Sequence, residues 1–334
     1  MRPAFISTYI HKLSALKCVQ NFFKGSGVIL MLHRIAPFEA KLSPNENMKV
    51  SPEFLENFIV DCLDGGYHFI SLDELIFGLL HKNLPKYFIC ISIDDGYKDN
   101  LTYGYPIFAK YDIPFCIYVC TSFPESSHNM WWFALEDYLL AHDSITLDGQ
   151  TYNIATRALK ENMFLTLRNE IIQKAQSYQS GTDILESFGI TYDTSTYNHL
   201  ALSWEDICFL DNVLGGGQKK LCTIGAHTHS HPIFNHLSPE DIAKDIHISQ
   251  ELFVKHLGYA PKHFAYPFGG RVEVDASYFA LIKELGFLSA TTTRHGCIYP
   301  AHKKALHALP RVFFGQDFML ESAFRVRKKR IVTA

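Results

Sequence analysis

The sequence predicts an α/β protein built on a parallel sheet, and three observations carry that reading. Short, continuously apolar runs recur along the chain, they alternate with helical patterns, and the helices have legible starts and stops. Continuous apolar strands need cover on both faces, which βαβ crossovers supply. The runs are Val28–Leu32, Tyr87–Ile93, Phe115–Cys120, Leu221–Gly225, His263–Tyr266, Leu288–Thr292 and Arg311–Phe314. About seven such units suggest a closed or nearly closed barrel, with a doubly wound open sheet as the alternative. Either arrangement gathers functional groups at the carboxyl ends of the strands.

Between the strands, Ser51-Pro52-Glu53 and Ser238-Pro239-Glu240 each offer a serine cap, a proline at the first helical position and an acid on the positive end of the dipole. Ser71-Leu-Asp-Glu74 and Ser203-Trp-Glu-Asp206 fit or approximate capping boxes. Gly65-Gly66, Gly258 and Gly286 read as stops. One stretch breaks the alternation. Residues 121–202 are polar and mostly helical, opening on His128-Asn-Met-Trp-Trp-Phe133, and read as a helical insertion near the site.

At 334 residues, 47% hydrophobic and 19% charged, the chain has ample material for a core. Its net charge of -3 gives no reason to expect a nucleic-acid partner. The basic charge gathers at the ends. Residues 1–28 hold Arg2, Lys12, Lys17 and Lys24 without an acid, and Arg325, Arg327, Lys328, Lys329 and Arg330 end the chain. Phe5, Ile6, Tyr9, Ile10, Leu13, Leu16 and Phe23 recur near helical spacing, so residues 1–27 form an amphipathic basic segment. It packs on the protein's own body by default; the competing reading is peripheral contact of both basic ends with an anionic membrane surface. The expected division is 1–27, a main domain over 28–320 and a basic tail over 321–334. Eight cysteines without CxxC spacing, several inside apolar strands, read as reduced buried thiols. With no signal-peptide pattern and no transmembrane-length apolar run, the expected location is the cytoplasm, at most peripheral to the inner membrane face.

The chemistry starts at Ile93-Asp94-Asp95-Gly96, where a buried strand breaks into a loop. Two adjacent carboxylates there repel each other and lose hydration, which a cation or a shared proton relieves. His227-Thr228-His229-Ser230-His231 follows another strand. Two imidazoles and one carboxylate make a facial metal site with open positions. His227 and His231 pair across one turn, while His227 and His229 could pair on an extended segment. One acid would bind the metal and its neighbour would take a proton from the attacking water.

In this order, Ser92-Ile-Asp-Asp-Gly96, His227-Thr-His-Ser-His231 and Phe264-Ala-Tyr-Pro-Phe-Gly269 resemble the three motifs of the polysaccharide deacetylase family with the NodB homology domain, carbohydrate esterase family 4. The resemblance spans about residues 28–315. It implies a distorted (β/α)7-type barrel, one divalent ion, usually Zn2+, and hydrolysis of N-acetyl groups from amino sugars. By position, Asp94 resembles the catalytic base, Asp95, His227 and His231 the metal ligands, and the Phe268 N–H the oxyanion donor. Two departures stand out. Ala265 occupies the position of the family's base-orienting arginine, and no Leu-x-x-His follows residue 300. Leu30-Met-Leu-His33 supplies that pattern at the first strand instead, as in the branch acting on poly-N-acetylglucosamine and other envelope polysaccharides. His33 is therefore the expected acid. Arg311 is the expected partner of Asp94, with Arg34 as competitor. Tyr266 and Pro267 are expected to line the acetyl pocket, and Trp131 and Trp132 either stack on sugar or pack within the insertion. The reading is a metal-dependent N-deacetylase acting on an envelope polysaccharide or its lipid-linked precursor. The alternatives are a deformylase or O-deacetylase on a lipid-linked sugar, and a saccharide-binding protein without turnover.

Overall fold

A computed structural model describes residues 25–175 and 180–319. The amphipathic segment up to residue 24 and the basic tail lie outside them, as does any membrane contact through either. Among the described residues no helix is long and apolar enough to cross a membrane.

Seven parallel strands close into a barrel: β1 (Gly27–Leu32), β2 (Phe88–Ile93), β3 (Phe115–Val119), β4 (Cys222–Ala226), β5 (His263–Ala265), β6 (Ser289–His295) and β7 (Leu309–Phe313). They neighbour one another in chain order, and β1 pairs with both β2 and β7, so the ring is shut and the open-sheet alternative falls. A short strand at His68–Phe69 pairs with the start of β2. Each predicted apolar run overlaps a barrel strand.

Alternate residues serve two cores. Val28, Leu30, Ile89, Ile91, Ile93, Phe115 and Ile117 face the helical layer. Ile29, Cys90, Cys116, Tyr118, Ala265 and Leu309 share a separate cluster with Leu72, Leu75, Ile76 and Leu79 of helix α2 (Leu72–His81). That helix packs at the amino ends of the strands. There the buried His263 ring bonds Ser289 Oγ at 2.8 Å and Asp73 Oδ1 at 3.1 Å. With Ser289 wholly buried, this Ser-His-Asp chain fastens α2 to the barrel and offers no nucleophile.

The caps fall where the serines predict. Ser51 accepts from Phe54 N–H at the head of α1 (Pro52–Asp64), and Ser71 and Glu74 form a complete capping box on α2. Helix α3 (Tyr105–Tyr111) follows β2. The segment after β3 carries α4 (Trp131–Ala141) and α5 (Arg157–Lys174) over their own cluster of Leu135, Leu139, Ile145, Phe164, Leu167 and Ile171. It also holds an antiparallel hairpin, Ser144–Leu147 with Gln150–Asn153, which the mostly helical reading did not anticipate. Its turn is Asp148-Gly149, both at positive φ, a two-residue hairpin signal present in the sequence. Helices α6 (Trp204–Asn212), α7 (Pro239–Leu257) and α8 (Ala276–Glu284) complete the outer layer.

Candidate active site

The carboxyl end of the barrel collects the acid pair and the histidines. Asp94 and Asp95 leave β2, and the chain turns sharply there, with Asp95 at φ 76° and Gly96 at φ 98°. The turn aims the two carboxylates differently.

Asp94 faces the barrel axis and meets Arg311 of β7. Nη1 donates to Oδ1 at 2.6 Å and Nη2 to Oδ2 at 2.7 Å. The guanidinium is itself anchored, donating from Nε to Thr292 O at 3.1 Å and from Nη1 to Ser92 Oγ at 3.3 Å. It lies 5.7 Å from the centre of the Tyr118 ring. That ring fits because Gly225 stands across from it on β4; a Cβ there would come within 2.4 Å of the ring. Burial alone would raise the Asp94 carboxyl, but Arg311, His227 and His33 hold it below the ordinary value. Arg34, the competing partner, is committed to Asp99, its Nε donating to Oδ2 at 2.7 Å.

Asp95 turns toward the histidine motif that follows β4. Its Oδ1 stands 3.4 Å from His227 Nε2 and 3.5 Å from His231 Nε2. That oxygen is buried and accepts no hydrogen bond. The ligand atoms of all three residues lie within 4.8 Å of one another. Two ligands each about 2.1 Å from a tetrahedral zinc would stand about 3.4 Å apart, so the spacing and the orphaned oxygen both fit a shared cation. His227 Nδ1 is bonded to Ala265 O at 2.8 Å, which leaves Nε2 directed at Asp95. Burial pushes His231 down to about 4, keeping its imidazole neutral. Burial acts the same way on His227, but Asp95 and Asp94 draw it above its ordinary value. His229 points elsewhere, its Nδ1 bonded to Thr121 Oγ1 at 3.0 Å.

The loop holding these histidines is bound by a residue that the sequence reading missed. Asp245 of α7 is buried and accepts from His229 N–H at 2.7 Å, from Ser230 N–H at 3.2 Å and from the Ser230 hydroxyl. A signal was present: Ile242, Asp245, Ile246, Ser249 and Phe253 share the buried face of the helix, so an acid falls inside an apolar stripe. Tyr118 and Asp99 were likewise unmarked, and Ser92 entered only as the first residue of its motif.

His33 ends β1 beside the acid pair, since Leu32 pairs with Ile93 and Asp94 N–H donates to Leu32 O at 2.9 Å. Its Nδ1 is buried without a hydrogen-bond partner. Phe268 reaches the site from the loop after β5, its ring centre 5.1 Å from that of His231. The backbone there is left-handed, φ 58°, and is held by Thr293 Oγ1 donating to Phe268 O at 2.7 Å. Positive φ is uncommon outside glycine, and Asp95, Thr228, His231 and Phe268 all adopt it around one centre.

The expected substrate contacts divide. Trp132 comes to the site, its ring centre 6.4 Å from that of His231. Trp131 is mostly buried within the insertion's core, yet both tryptophans border a cavity with His231, Ile233, Leu237 and Phe268. Tyr266 is a correction. Its ring is fully buried among Phe234, Phe264 and Phe279, and its hydroxyl donates to His307 O at 3.0 Å. Two residues before Phe268 on the same strand exit, it faces the helical layer instead of the mouth. Pro267 is buried between them, shaping the turn that presents Phe268.

Among known proteins, the polysaccharide deacetylase family profile matches residues 215–290, which hold the histidine motif and the β5 segment as far as the start of β6. No curated protein sequence matches the chain. Several solved structures share its fold. The deacetylase PplD of Streptococcus pyogenes, solved in complex with acetate, is 19% identical at a TM-score of 0.56, over 87% of this chain and 92% of that one. IcaB from Ammonifex degensii is 17% identical with a TM-score of 0.56, over 90% and 94%. A de-N-acetylase from Aggregatibacter actinomycetemcomitans is 12% identical with a TM-score of 0.55, over 89% and 97%.

Proposed function

We propose that this chain is a metal-dependent enzyme of the polysaccharide deacetylase family, removing N-acetyl groups from an amino sugar, in keeping with the match of that family's profile to residues 215–290. The substrate in this reading is a cell-envelope polysaccharide or its lipid-linked precursor. The observation that carries it is the split of one acid pair, with Asp95 converging on His227 and His231 and Asp94 clamped by Arg311. A purely structural pair would not leave a buried carboxylate oxygen facing two imidazoles.

Asp95, His227 and His231 would hold the ion. When bound, a divalent cation, zinc in our reading, would supply Lewis-acid polarisation of the acetyl carbonyl and would lower the pKa of the attacking water. Asp94, kept ionised by Arg311, accepts the proton of the attacking water as hydroxide adds to the carbonyl carbon. The Phe268 N–H stabilises the negative charge that develops on the carbonyl oxygen. As the C–N bond breaks, His33 delivers a proton to the departing nitrogen, leaving acetate and a free amino sugar. Acetate, the partner in the PplD structure, is the product this hydrolysis releases. Trp132 offers an aromatic face to the sugar ring. The basic N-terminal segment would let the protein work at an anionic membrane surface on a lipid-linked precursor.

The test is acetate release from N-acetylglucosamine oligomers by metal-loaded protein, with Asp94→Asn as control. The expected result is release by the wild type and a loss of at least about a hundredfold in the variant, the low end of general-base contributions. No release from any acetylated or formylated saccharide would sink the proposal and leave a saccharide-binding protein.

A further inference from the structure

Helix α2 closes the amino end of the barrel, opposite the candidate site, and it is apolar on two sides. Leu72, Leu75, Ile76 and Leu79 face the barrel and are buried. On its outer side Phe77 is 57% exposed and Leu80, about one turn on, is 47% exposed. The His81 ring stacks on that of Phe77, their centres 4.0 Å apart, which widens the patch. The loop that leads from α2 into β2 adds Tyr87, also exposed, whose ring meets that of Tyr67 at 6.1 Å. Single exposed apolar side chains are ordinary on a protein surface. A helix that is apolar on both sides is instead the kind that is covered on both.

The described chain starts at this same end. Ser26 N–H donates to Ile298 O at 2.7 Å, and Ile298 packs in one cluster with the inner side of α2. Ser26 O in turn accepts from Phe88 N–H at 3.4 Å, beside Tyr87. Gly25, with φ 68°, makes the entry a tight turn, since a Cβ there would stand 2.7 Å from that of Cys297. Residues 1–24 therefore join the barrel next to the uncovered side of α2. Their sequence carries the matching surface: Phe5, Tyr9, Leu13, Leu16 and Phe23 recur near helical spacing. As a helix, residues 5–23 would reach about 28 Å, ample to lie along the ten residues of α2, which span about 15 Å.

We infer that the outer side of α2 is a docking surface whose occupant is the apolar stripe of residues 5–23 of the same chain. The apolar surface of that segment is then committed to the protein's own body, and its lysines alone are left to meet an anionic surface. Neither Phe77 nor Leu80 belongs to the candidate site, so the inference is independent of the deacetylase reading.

The experiment places the photo-cross-linker benzoylphenylalanine at position 13 of the full chain and maps the cross-linked peptides by mass spectrometry. Cross-links to residues 77–87 of the same molecule are expected. Cross-links elsewhere in the chain, to an isotope-labelled second copy, or none at all would overturn the inference. Phosphatidylglycerol vesicles should leave the cross-link in place; its replacement by labelled lipid would give the stripe to the membrane instead. Trypsin cleavage at Lys12 and Lys17 supplies a second readout, in the wild type, Phe77→Asp and Leu80→Asp. Both substitutions fall on exposed positions, and thermal melting confirms which variants fold. The folded variants should be cut at least about tenfold faster, because losing part of one buried apolar side chain shifts a docking equilibrium by that much. Equal cleavage rates in the wild type and both variants would refute the docking.

Discussion

Asp94 and Arg311 form a fully committed pair of side chains: both buried, joined by two hydrogen bonds, and drawn from the end of the second barrel strand and from the last. Breaking such a pair leaves one charge in a low-dielectric interior, which costs about 3–5 kcal/mol. Arg311→Met should therefore lower the free energy of unfolding by about that amount in urea titration, and should reduce acetate release even where the variant is folded. Arg311→Lys keeps the charge but not the fork, so it should recover much of the stability and less of the activity. Turnover in a folded Arg311→Met variant equal to that of the wild type would show that the guanidinium does not hold Asp94 for chemistry. The acid pair was legible because two adjacent carboxylates at a strand end are costly without a partner. Tyr266 was not. Proximity in sequence to the proline turn put it near the mouth, whereas strand alternation sends its ring into the helical layer.

Elements position the histidines, and α7 has the largest part in this. Its Asp245 accepts from two backbone N–H groups and a hydroxyl of the 229–230 segment, holding the loop so that His227 and His231 straddle Asp95. Supporting partners of this kind typically account for 10- to 100-fold in metal affinity. Asp245→Asn loses the charge and one acceptor, so zinc affinity measured against a chromophoric chelator should fall by roughly that factor. An unaltered affinity would mean that the loop is held well enough by Thr228, whose Oγ1 accepts from His231 N–H at 3.0 Å. Helix heads were legible because serine caps act locally: Ser51, Ser71, Ser203 and Ser238 each accept from the third following residue. The hairpin at 144–153 was hidden by its polar surface. With most of its residues exposed it shows no apolar run, and only Asp148-Gly149 marks it.

Closure of the barrel brings the first and last described strands together. His33 from β1, Asp94 and Asp95 after β2, His227 and His231 after β4, Phe268 after β5 and Arg311 from β7 belong to strands spread over some 280 residues, and they meet only when β7 pairs with β1. Closure was legible as a count of apolar runs; the choice between a ring and an open sheet depends on the β1–β7 pairing, which no local pattern encodes. A ligand that needs this assembled end binds the folded state and not the unfolded chain, so it must stabilise the whole molecule. At a zinc concentration about a hundred times its dissociation constant, the added stability should be about 2.7 kcal/mol. In a chain of this size that raises the melting temperature by several degrees. Chelation should return it. Asp95→Ala should abolish the zinc response, since the three-residue set loses its only carboxylate. If zinc raises the melting point of Asp95→Ala as much as that of the wild type, the ion is bound elsewhere and the assignment of this centre fails.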